Sequence, residues 1–205
     1  PVHGLVCLSS ATLCSDMARP RSESARNKLI AATAEILATD GVGALTAEEV
    51  ARRSGVAKTT LYRHFGTADA LVFATVQANV AALEPPDTGT LRGDLFEIHR
   101  TYLAVANARQ SRELFVWMVA RAIEDPANRE LFRQVRVQPR GPTVLALQRA
   151  IARGELAPDL DMDLAMHVVQ GPLISMRIVD DSDVSNGNLE HLIDMTVKAL
   201  GAVES

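Results

Sequence analysis

Lys58, Thr59, Tyr62 and Arg63 share one face of a short helical stretch, Ala57 to Phe65, with Thr60 and His64 at its flanks. These groups suit recognition rather than bond-making. A lysine donates to guanine O6 or N7, threonine offers a hydroxyl and a methyl, and a tyrosine hydroxyl or a histidine ring suits a phosphate oxygen. Leu61 and Phe65, at i and i+4, mark the opposite face as buried. Isolated helices shorter than roughly a dozen residues are marginal in water. This one therefore requires a mount, and its outward face fits a DNA major groove.

The mount is written on either side. Thr46 followed by Glu49 has the form of a capping box, in which the Thr hydroxyl takes a first-turn N–H and the Glu side chain reaches back to the cap. Val50 and Ala51 give that helix a small apolar face, Gly55 frees the backbone for a tight turn, and Val56 can plug the gap between two crossing helices. Upstream, Ser22 or Ser24 can cap a helix reaching about Thr39, with Leu29, Ile30, Thr33, Ile36 and Leu37 inward and Gly41 at its end. That helix would bring Arg19, Arg21 and Arg26 near backbone phosphates. Thr67 caps a fourth helix carried by Leu71, Val72, Thr75, Val76, Val80 and Leu83 as far as Glu84, where Pro85-Pro86 ends it.

Taken together, Leu29-Ile30-Ala31-Ala32, Gly41, Leu45-Thr46, Glu49-Val50-Ala51, Gly55-Val56, Thr60-Leu61-Tyr62 and His64-Phe65 resemble the DNA-binding domain of the tetracycline-repressor (TetR) family. The resemblance covers about a quarter of the chain at fixed spacing. It implies an all-α fold of about nine helices: a disordered extension over 1–20, a helix-turn-helix DNA-binding domain over 21–67, and a ligand-binding and dimerisation domain over 68–205. Lys58, Thr59 and Thr60 then fall where the family reads base edges, and Tyr62 and His64 where it contacts phosphate. Thr46 and the N–H groups at its helix start form a second phosphate clamp. Two departures stand out. Where many members carry a lysine just inside the fourth helix, this chain has Thr67-Ala68-Asp69. Glu48 occupies a face that some relatives use, with a basic residue, to touch DNA; a carboxylate there would accept from cytosine N4 or face solvent, and solvent is the expectation.

The remaining chain stays helical. Leu91, Leu95, Ile98, Tyr102 and Val105 repeat at helical spacing, and Ser111 can cap a short helix ending near Asp125-Pro126. A helix over Asn128–Arg153 is expected to be interrupted or kinked at Pro139, Gly141 and Pro142. Asp161 or Asp163 starts another running to about Val179, and Asn186-Gly187-Asn188 is a turn before a last helix over 189–203. The phrase Ala150 to Leu156, with Asp161 and Gly171-Pro172, is similar to a recurring C-terminal pattern of the same family.

That similarity implies an effector pocket walled by Phe96, His99, Tyr102, Trp117, Met118 and Arg121, with Met166, Gln170 and Met176 opposite. It also implies a four-helix dimer interface from the last two helices, with Met166, Leu173, Leu189, Leu192, Ile193, Thr196 and Leu200 as its contacts. The function implied is a transcriptional regulator, most plausibly a repressor. It would bind a pseudo-palindromic operator as a homodimer and be released by an unidentified small molecule.

Composition bounds the alternatives. The net charge of −4 conceals an asymmetry: residues 18–66 carry eight Lys/Arg against five Asp/Glu, so the rest of the chain holds −7. A basic head on an acidic body fits one end meeting phosphate. Aromatics make up only 4% of residues, which favours a Leu/Val/Ile/Ala core between helices. No apolar run is long enough to span a membrane. Cys7 and Cys14 have no partners at zinc-ligand spacing, so neither metal nor cofactor is expected, and a reducing cytoplasm is. Met17-Ala18-Arg19-Pro20-Arg21 reads as a natural start with a basic arm. The five histidines are scattered, and no HExxH, GxSxG, P-loop or GxGxxG is present, so no enzyme is expected. The rival from another class is a helical adaptor whose head has lost DNA affinity.

Overall fold

The computed structural model describes residues 11–79, 84–106, 109–180, 182 and 184–202. The described residues form helices joined by turns and loops, without strands, and fall into two compact units, 1–75 and 76–205. No described helix is long and apolar enough to cross a membrane.

In the first unit, α1 (Ala11–Thr39) leads through a 3-10 turn (Val42–Ala44) to α2 (Ala47–Ser54), α3 (Lys58–Phe65) and most of α4 (Ala68–Asn79), whose last residues fall past the boundary at 75. The Thr46 hydroxyl accepts from the Glu49 N–H at 3.1 Å and so starts α2. Gly55, at φ 66°, ends it in the left-handed conformation that only glycine adopts freely. The Thr67 hydroxyl accepts from the Ala70 N–H at 3.0 Å and starts α4. Leu29, Ile30, Ile36, Ala47, Val50, Leu61 and Leu71 close one core, with Leu45, Val56 and Phe65 packed against it.

Two expectations are corrected here, and a third lies outside the described side chains. The helical backbone starts at Ala11, ahead of the Ser22 or Ser24 cap and inside the stretch expected to be disordered; residues 1–10 lie outside the described part. The Cys7–Cys14 reading also falls outside the described side chains. Last, the capping box is only half made. The Glu49 carboxylate accepts from Arg52 Nε and Nη2 at 2.8 and 2.6 Å and from Arg53 Nε at 2.7 Å instead of returning to Thr46. Arg53 also grips Glu35 and Asp40, tying the end of α1 to α2. Arg53 thus helps to hold the mount together.

Those guanidinium groups pull the Glu49 carboxyl from 4.5 to about 2. A carboxyl depressed in the folded state stabilises it fully above the unfolded pKa and loses that contribution as pH falls through the folded pKa. Glu49→Gln is therefore expected to lower the head's melting temperature at pH 7, and the gap from wild type should close between pH 4.5 and about 2. Melting followed by circular dichroism across that range checks it.

In the second unit, α5 (Leu91–Ala106), α6 (Arg109–Glu124), α7 (Pro126–Arg153), α8 (Met162–Ile174) and α9 (Asn186–Ala199) pack around Leu91, Leu95, Ile98, Leu147, Ala150, Val169 and Ile193. The N-terminus of α5 is held from afar: the Leu91 N–H donates to Glu155 Oε2 at 2.7 Å, and Glu155 also takes Arg153 Nε at 2.5 Å. Side-chain caps begin four helices, the Thr90 hydroxyl accepting from the Gly93 N–H at the start of α5. Asp125 accepts from the Ala127 N–H, Asp161 from the Leu164 N–H, and Ser185 from the Asn188 N–H.

The boundaries differ from expectation where tertiary packing overrides local signals. Helix α6 starts at Arg109, with Ser111 inside it rather than capping it. Helix α7 runs unbroken through Pro139 and Pro142, its flanks held by the buried Val135, Thr143, Ala146 and Leu147. Asn186-Gly187-Asn188 is the first turn of α9 rather than a loop, because Ser185 caps it. Beyond α8 the chain widens into a π-helical turn, Ser175–Val179, where the Asp180 N–H bonds the Ser175 carbonyl at 3.2 Å. That winding turns Arg177 inward. It is buried, donates from Nη1 to the Tyr102 hydroxyl at 3.4 Å and lies over the Tyr102 ring at 5.6 Å.

Candidate nucleic-acid interface

Leu61 anchors α3 with no exposed surface, and Phe65 packs beside it. Rotation about that anchor turns Lys58, Thr59, Tyr62 and Arg63 outward, Tyr62 with 48% of its surface exposed. Thr60 and His64 are half-buried at the flanks, and Thr46 is exposed at the start of α2. The His64 Nε2 lies 3.5 Å from the Ser22 hydroxyl, and Arg26 stands over the Phe65 ring at 5.6 Å. Arg26 therefore braces the hydrophobic end of α3.

One contact on this face was missed. Glu48, expected to face solvent alone, is exposed and forms an ion pair with Lys58 across the turn. The pairing lowers the Glu48 carboxyl pKa and raises that of the Lys58 ammonium. The signal available was the placement of Glu48 on the outer face of α2. What the sequence lacked was the crossing of α2 and α3, which brings position 48 beside position 58.

In the second unit several of the expected pocket residues are engaged in the core or in contacts of their own. His99 is buried, its Nδ1 2.6 Å from the Leu95 carbonyl oxygen, and burial lowers its pKa. Met118 and Met166 are also buried, while Phe96 and Met176 pack against the core. Gln170 accepts from Arg136 Nη2 at 3.3 Å, and Arg121 lies over the Trp117 ring at 5.5 Å. An open cavity of about 690 Å³ lies instead between α6 and the π-helical turn, lined by Arg109, Arg112, Glu113, Val116, Trp117, Arg177 and Ile178. Of the nine expected wall residues, Trp117 alone lines it. No group of His, Cys, Asp or Glu among the described residues could hold a metal ion.

The side chains expected at a dimer interface lie largely in the protomer's own core. Met166, Leu173, Leu189, Ile193 and Thr196 are buried within the protomer, and Leu192 and Leu200 are half-buried against the same core. The outer face of α8 and α9 carries Leu164 and Met195, 62% and 59% exposed, with Gly171, His191 and Ala199 around them.

A helix of this polarity on a three-helix mount, in a chain whose second unit has helices as its only regular elements among the described residues, defines a DNA-binding transcriptional regulator of the helix-turn-helix class. Residues 29–75 match the model of bacterial regulatory proteins of the tetR family, and residues 85–196 match the tetracyclin repressor-like C-terminal domain. The chain belongs to the TetR family. It is 24% identical over 189 residues to the HTH-type transcriptional regulator YdeS of Bacillus subtilis, covering 91% of this chain and 95% of that protein. It is 27% identical over 177 residues to the DNA-binding transcriptional repressor TetR of Mycobacteroides abscessus, covering 85% and 92%. The crystal structure of the TetR family transcription regulator SCO0332 matches with a TM-score of 0.70 and 28% identity, over 85% of this chain and 97% of that one.

Proposed function

We propose that this regulator is a repressor that binds a pseudo-palindromic operator in the bacterial cytoplasm as a homodimer and is released by a small-molecule effector. The observation that carries the reading is the outward face of α3: Lys58, Thr59 and Tyr62 exposed on a helix fixed from behind by Leu61. One head makes too few contacts for tight binding. Two heads about 34–36 Å apart would read successive major grooves, and the apolar outer face of α8 and α9 offers the means of pairing them. The α6 cavity, which shares Trp117 with the walls expected from the sequence, is the proposed effector site. Ligand there would release the operator by favouring a head spacing that no longer fits adjacent grooves. The reading includes no catalytic step.

Mobility shift with the DNA upstream of the protein's own gene tests it: a sequence-selective shift that survives excess random duplex is expected. Tyr62→Phe, which removes a phosphate donor, should weaken binding to every duplex about equally. No selective shift at low salt would leave the adaptor reading in its place.

A further inference from the structure

The ion pair between Glu48 and Lys58 has no evident structural task. Both side chains are exposed, and an exposed pair contributes little to stability. On a surface turned toward phosphates a carboxylate also weakens binding to DNA in general. The cost is offset if the carboxylate meets a base-edge donor. In a C·G pair, cytosine N4–H donates to guanine O6, so a donor and an acceptor stand about 2.9 Å apart in the major groove. A hydrogen-bonded ammonium–carboxylate pair presents the complementary acceptor and donor side by side. The carboxylate can accept from cytosine N4, and Lys58, with three N–H donors, can hold Glu48 and still reach guanine O6 and N7.

We propose that Glu48 and Lys58 act as one reading element, selecting a C·G base pair in a fixed strand orientation in each operator half-site. The inference rests on α3 being the reading helix of a DNA-binding regulator. The strand orientation follows from the order of donor and acceptor. G·C and T·A, with that order reversed, set the carboxylate against acceptors and are rejected. A·T keeps the order but offers thymine O4 and a methyl where guanine offers two acceptors, so it ranks between. Glu48 thereby becomes a specificity determinant rather than a bystander.

The test is selection and sequencing of random-core duplexes by the full-length wild type, Glu48→Ala, Lys58→Ala and the double variant, with circular dichroism confirming that each head is folded. Both single variants should flatten the preference at the same base pair by roughly ten-fold, the double variant no further. Glu48→Ala should also bind random duplex more tightly than wild type. The proposal is overturned if Glu48→Ala keeps the wild-type preference, or flattens a different position from Lys58→Ala. If the wild type enriches no sequence at all, the regulator reading itself fails and the couple falls with it; a selective wild type with an unchanged Glu48→Ala removes the couple alone.

Discussion

A Leu164→Glu/Met195→Glu double variant should run as a monomer and bind operator about 10²–10⁴-fold more weakly than wild type, each head remaining folded. The two side chains are the large apolar groups left open on the outer face of α8 and α9. Around them lie Gly171 and Ala199, small enough to let helices approach closely. A dimer built on this face would bury both introduced carboxylates, and an unpaired buried charge costs several kcal/mol, on the order of what holds such an interface. The weaker operator binding then comes from lost avidity and not from any change in α3. Size-exclusion chromatography with light scattering measures the assembly, and mobility shift the affinity. A variant that stays dimeric would place the interface on another face. Substituting Ile193 instead would be uninformative, since it lies in the protomer's own core.

Leu61→Ala should cost about 2–5 kcal/mol and unfold the head under conditions where wild type is native. Leu61 is the fully buried residue of α3 and joins α1 and α2 through Leu29, Ile36 and Val50. The helix is short, so little intrinsic helicity remains once that contact is gone. Operator binding should vanish although no outward-facing group has changed. Leu61→Met, which conserves volume, should cost under about 1.5 kcal/mol and keep binding. Urea unfolding monitored by circular dichroism separates the two. Equal stability of both variants would show that α3 is anchored elsewhere.

The head was legible because its determinants are local. Thr46 capping Glu49, Gly55 in the left-handed turn and Thr67 capping α4 are signals within four residues of their partners. Leu61 with Phe65 likewise announces a buried face by spacing alone. Less was legible in the body, where the deciding contacts join residues far apart in sequence. The stripe on α9 was visible, but periodicity does not say whether Leu189 and Ile193 pack inward or against a second copy; here they pack inward. Prolines 139 and 142 carry a strong local signal against helix, yet packing on both flanks holds α7 continuous. The cavity depends on Arg177, whose inward course follows from a wide helical turn that no residue pattern announces. The Glu48–Lys58 contact was hidden for the same reason: ten residues and a helix crossing separate its partners.

The wide turn also bears on how this chain is compared with its relatives. An N–H at position 180 reaching back to a carbonyl at 175 accommodates one residue more than ordinary α winding would. A homologue that winds this stretch as plain α-helix is thus one residue shorter between these two positions. From Arg177 onward its side chains stand one position out of register in sequence, so a basic residue at the same place in space carries a different place in the chain.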